Sequence, residues 1–171
     1  AGGGAWTLIS SQVASSDASL TQTGLDSTYD TYAFVISDLE PATDATKFYC
    51  RLGSSSGIVT SGYKYHMTYL QSNSTTDVHY ASDSATFVIL ANYTGSSTGE
   101  TMNGVFYLHN SSTGYPGLHG HYSGLNYFGR NTSGFVSAHL HSATTVDRIQ
   151  IYMAAGNITT GRFTVYGIKH A

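Results

Sequence analysis

The sequence predicts an all-β protein: an antiparallel β-sandwich, jelly-roll-like, with about 8–10 strands. Three observations predict it. Apolar and polar residues alternate in segment after segment, as they do on a half-buried strand. The breaks between these segments are rich in Gly, Ser, Thr, Asn and Asp, which carry turn chemistry. No long stretch shows an apolar stripe at helical spacing, and only 10% of residues are charged, far below the usual quarter. Ser and Thr fill the gap, with 19 Gly and 14 Tyr. Thr and Tyr suit a pleated surface, while Ser and Gly suit turns.

The expected strands run in order through TLISSQV, DTYAFVISDL, TKFYCRL, YKYHMTYL, ATFVILANY, GVFYLHN, FVSAHLH, DRIQIYM and RFTVYGI. In DRIQIYM, Ile149, Ile151 and Met153 share one face, and Arg148, Gln150 and Tyr152 the other. In RFTVYGI, Phe163, Val165 and Gly167 share a face. Gly167 sets no side chain against a partner, so it marks a bulge or a close backbone approach. The best helical candidate is a short turn near Pro41–Thr46, with Pro41 in the first helical position. VASSDASL and YASDSATF look alike but are short and built of common residues, so no duplication is read from them. The organisation expected is a flexible leader over 1–5 and one β-sandwich domain over 6–171.

Composition narrows function. The net charge is −3, and Lys47, Arg51, Lys64, Arg130, Arg148, Arg162 and Lys169 stand singly. No basic stripe is present to follow a phosphate backbone, so no nucleic-acid partner is expected. No apolar run is long enough to span a bilayer, so no membrane insertion is expected. Cys50 is the one cysteine, which leaves no internal disulfide framework. It alternates with Phe48 and Leu52, as a small buried apolar group would.

Histidine is the most suggestive residue type. His119 and His121 form HGH, and His139 and His141 form HLH. In a strand, residues two apart share a face, so each motif presents two imidazoles side by side. Two readings stay open. Adjacent strands would bring four nitrogens to a divalent transition metal. Alternatively the imidazoles are polar alternates on solvated or subunit-contacting strands, where they would lend pH dependence. No HExxH, CxxC or neighbouring carboxylate accompanies them, so neither a metal nor a cofactor is assigned.

The other chemistry is thin. Asp26 and Asp30 in LDSTYD, and Asp38, Glu40 and Asp44 in SDLEPATD, read as turn hydrogen-bonders and not as a glycosidase pair or a calcium loop. GxSxG is absent, and the Gly2–Gly4 run has no strand before it. Asn73, Asn92, Asn110, Asn131 and Asn157 head Asn-x-Ser/Thr triplets, which arise readily in so Ser/Thr-rich a chain. No catalytic residue is assigned, and the protein is expected not to be an enzyme. The richest segment outside the core is NSSTGYPGLHGHYSGLNYFGRNTSG. Its Tyr115, His119, His121, Tyr122, Asn126, Tyr127 and Phe128 are the candidate residues for contact with a partner or receptor. Aromatic rings give contact area at low entropic cost beside adaptable polar groups. The same segment reads equally as a long hairpin at an interface between subunits.

GGAWTLISSQVASSDASL, GLDSTYDTYAFVISDLEPATDATKFYCRLG and MAAGNITTGRFTVYGIKH resemble a recurrent family of tailed-bacteriophage virion structural proteins. Those chains run from a Trp-containing first strand, through a TYDTY…PATD block, to a closing SGN…G…YGI strand. The likeness covers the first third of the chain and its end, while residues 53–142 carry no diagnostic pattern. Relatives often carry a longer leader before the Trp strand. The resemblance implies a role as a capsid decoration protein, a head fibre or a tail-fibre tip, and supplies no catalytic residues. It implies a non-enzymatic protein on the virion surface, assembled in the host cytoplasm. The expected partners are further copies of itself in a homotrimer, the major capsid protein or another virion protein, and a host-surface glycan in the receptor-binding version. If the first and last strands pair, both termini are tied down and the loops at the ends of the sandwich are free for contact.

Overall fold

A computed structural model describes residues 6–110, 114–142 and 145–169; the leader expected over 1–5 lies outside the described residues. Among these residues 65% of the chain is strand and no helix occurs. The strands are β1 (Trp6–Val13), β2 (Leu20–Thr23), β3 (Thr31–Pro41), β4 (Thr46–Ser54), β5 (Gly57–Ile58), β6 (Tyr63–Gln71) and β7 (Val78–Ala85). They continue with β8 (Val88–Thr94), β9 (Met102–His109), β10 (Gly117–Leu125), β11 (Asn131–Leu140), β12 (Arg148–Met153) and β13 (Ile158–Ile168). An eight-stranded sheet has the order β1-β13-β3-β9-β10-β11-β6-β7, and a five-stranded sheet has β2-β12-β4-β5 with β8 also on β4. All pairings are antiparallel.

All nine expected strands are present, and the sandwich is as the alternation predicts. The strand count exceeds the expected 8–10 because β2, β5, β7 and β10 join them. β2 and β5 have four and two residues, too short for a readable alternation. β10 has Gly120 and Gly124 at inward positions, which blanks its apolar signal. The first and last strands do pair, from Trp6↔Ile168 to Val13↔Arg162, with a bulge at Leu8–Ser10.

The turn expected near Pro41–Thr46 is not helical. Pro41 closes β3, and Ala45 takes φ 56°, a left-handed conformation that a right-handed helical turn excludes. Gly167 is a close approach and not a bulge: it stays in register with Thr7 and Tyr32, and the Tyr29 ring lies where its Cβ would be.

The core lies between the sheets. From the large sheet come Tyr32, Phe34, Phe106, Leu118, Tyr122 and Phe163, and from the small one Phe48, Cys50, Leu52, Ile149 and Ile151. Burial pushes the Cys50 thiol up to about 12, consistent with its expected apolar role. Tyr63 ties the sheets together: its hydroxyl accepts from Leu52 N–H at 2.7 Å and lies 2.9 Å from Val59 O.

Candidate functional site

The outer face of the eight-stranded sheet has the residue types a contact surface needs. Alternation puts His109 of β9, His119 and His121 of β10, His139 of β11, His66 of β6 and His79 of β7 on this face, all exposed. The chain has eight histidines, so this one surface holds most of them. The same face bears large exposed apolar side chains: Trp6, Leu8 and Val13 on β1, Leu70 on β6, and Phe135 on β11, which is 71% exposed.

Rings on neighbouring strands contact one another in a file. Trp6 meets Tyr166 at 5.5 Å and Tyr107 at 6.1 Å between centroids. Tyr107 stacks on His119 at 5.5 Å, and His119 on His109 at 5.0 Å with planes 10° apart. The last spacing is close to the distance between strands. The imidazoles therefore stand upright off the sheet, stacked on each other and edge-on to solvent. Across the sheet, the transverse row through His119 runs Tyr166, Ala33, Tyr107, His119, Ser137, His66 and Ala81.

Past His119 the surface dips into an open groove of about 530 Å³. It is lined by Lys64 and His66 of the middle strand β6, Ser137 and His139 of β11 on one side, and Ala81 and Asp83 of β7 on the other. Lys64 is directly opposite His139, and Ser137 opposite His66. Pairs in register have Cβ atoms about 5 Å apart, so Lys64 and His139 project together. Gly117, opposite His139 on β10, leaves room for that ring: a Cβ there would stand 3.1 Å from its Nε2.

The seven contact candidates separate on this structure. His119 and His121 are exposed on the outer face, as HGH predicts. Tyr127 and Phe128 form the tip of the β10–β11 turn with ring centroids 3.9 Å apart, and Arg130 stacks on Phe128 at 4.7 Å. Tyr115 is exposed beside the start of β10, with its ring 4.1 Å from that of His141.

Tyr122 and Asn126 are corrections, because neither reaches the surface. Tyr122 is 1% exposed; it fills the core beside Gly104 and Gly134, and burial raises its hydroxyl pKa. Asn126 is wholly buried, and its Oδ1 accepts from Phe128 N–H at 3.0 Å and Arg130 N–H at 3.1 Å. It builds the turn that presents Phe128 and does not itself make contact.

The two histidine motifs do lie on adjacent strands, but the register keeps them apart. Ser137 is opposite His119, Phe135 opposite His121, and Gly117 opposite His139. His141 falls past the end of β11. Among the described residues no group of three or more His, Cys, Asp or Glu could hold a metal ion. The Asn92 triplet is likewise not an open acceptor, since Asn92 is buried and its Nδ2 donates to Tyr69 and Tyr80 hydroxyls.

The groove was missed in the sequence reading, although YKYHMTYL sets Lys64 and His66 on one face. That signal becomes a site only once β6 is known to lie against β11. A scan against protein-family models finds no match, and a search of curated proteins finds no significant similarity.

Proposed function

We propose that the protein is a non-enzymatic structural protein on the exterior of a tailed-phage particle, working as a trimeric capsid-decoration protein bound to the major capsid protein. One observation carries the reading: an outer sheet face exposing Trp6, Leu8, Val13, Leu70 and Phe135 in a chain otherwise closed around one core. Exposed apolar side chains gathered on one surface and set among polar groups suit protein contact. The opening and closing motifs that resemble virion proteins support the same reading, since they form the paired β1 and β13 at one edge of that sheet. Cyclic assembly would cover part of the face and multiply weak contacts into avidity. The protein copy number in purified virions tests it. A copy number close to that of the capsomers supports decoration; absence from the particle overturns the virion reading.

A second reading has its own observation. The polar groove at Lys64 and His139 and the aromatic tip at Tyr127 and Phe128 favour a receptor-binding domain of a tail or head fibre. A few copies per particle, with binding of the purified protein to host cells, would select this reading over decoration.

A further inference from the structure

We propose that the groove between β6 and β11 binds an acidic oligosaccharide through its carboxylate. This rests on the receptor-contact reading and supplies its ligand class.

The argument begins with charge. Lys64 and His139 are directly opposite each other on an exposed face. An anion seated between them can accept from the Lys64 ammonium and from an imidazole N–H together. The groups facing this point come from three strands: Lys64 and His66 from β6, Ser137 and His139 from β11, and Asp83 from β7. On the far side of β11, His119 of β10 follows in the same row. Asp83 is the single carboxylate at the groove, and no ion pair joins it to Lys64 among the described residues. The cation is left for a ligand.

The remaining groups decide the kind of anion. Ser137 can give and take hydrogen bonds with hydroxyls and the Asp83 carboxylate can accept them, and a carboxylate at the rim disfavours a multiply charged phosphate. An acidic peptide fits worse. β6 and β11 are both paired on both sides, so a peptide backbone lying over Lys64 and His139 would find no partner there and could pair only along the edge strand β7. A sugar needs only side chains. The groove is open and reaches across β11, β6 and β7, two strand spacings or about 10 Å.

Calorimetry with oligogalacturonate as the probe tests the proposal on the full chain. Binding of oligogalacturonate by the parent is expected at neutral pH and low salt. Lys64→Gln and His139→Gln are each expected to lose at least about tenfold, while Lys64→Arg retains binding. His79→Gln, on the same face but outside the groove and bonded to Thr68, is expected to bind as the parent does. Unchanged thermal midpoints establish that the variants are folded. Four results each overturn the proposal: no oligogalacturonate binding, equal binding of neutral dextran, equal binding of polyglutamate, or binding of inorganic phosphate in its place. Failure here leaves the virion reading standing if the chain is found on particles. Saccharide binding by a chain absent from particles overturns the virion reading alone.

Discussion

On β10, Leu118, Gly120 and Tyr122 point into the sandwich, while His119, His121 and Ser123 point out of it. The two sets obey different rules. Inside, each residue is dictated by its neighbours: Tyr122 is flanked in register by Gly104 and Gly134, and the Phe106 ring lies over Gly120. Large rings lying across glycines on the next strand fill the core without crowding it. Outside, no packing demand calls for stacked imidazoles or for a Phe135 at 71% exposure. The inward set explains the fold, and the outward set is where an explanation has to come from function.

The largest expected effect tests the inner rule. A Cβ at Gly120 would lie 2.6 Å from the Phe106 Cα, against backbone that cannot turn aside. Gly120→Val is expected to destabilise by about 3 kcal/mol or more in urea unfolding. His121→Ala, one position on and facing outward, is expected to stay within about 0.5 kcal/mol. Equal midpoints for the two would end the comparison.

Next comes a polar group inside. Tyr63→Phe keeps the ring but strips the acceptor from the buried Leu52 N–H and the donor near the half-buried Val59 O. The expected loss is about 2 kcal/mol. A neutral result would mean that water reaches the site.

Alkali probes the inner set collectively. Burial raises Tyr32 and Cys50 to about 12, and raises Tyr63 and Tyr122 as well. A hydroxyl or thiol with a raised folded-state pKa stays protonated longer in the folded chain, so unfolding releases protons once pH passes the unfolded value. The stability from these groups is whole below about pH 9, where free Cys and then Tyr begin to ionise, and drains as pH climbs toward 12. Urea midpoints measured up that range should fall steadily; a flat profile would contradict the burial of these side chains.

Much of this was legible in the sequence, for reasons that mark its limits. Period-two alternation survives wherever inward positions carry side chains, as in Ile149, Ile151 and Met153, and those strands were found. It vanishes where the inward residue is Gly120 or Gly124, so central strand β10 was missing from the expected strands and its Tyr122 read as a contact residue. The HGH pair fell on the outward face as spacing requires, because alternation is local. That Ser137 and not His139 faces His119, and that Lys64 faces His139, depends on register between strands far apart in the chain, which no local pattern encodes.

The smallest expected change in stability is at Phe135, and it is the sharpest test of the outer face. Its ring meets His121 at 6.3 Å and is otherwise open, in register with Thr68 across β11–β6. So little of the ring is buried that Phe135→Ser should move stability by no more than about 0.5 kcal/mol. An interface built on this face would still lose its most protruding apolar group, and truncating an anchor at the centre of an interface commonly costs about 2 kcal/mol or more of binding. Sedimentation of parent and variant across a concentration series separates the two quantities. The expected result is an unchanged thermal midpoint with self-association shifted toward the monomer. A lowered midpoint at low concentration would instead show that the ring packs within its own subunit, and the outer face would then answer to the same rule as the inner one.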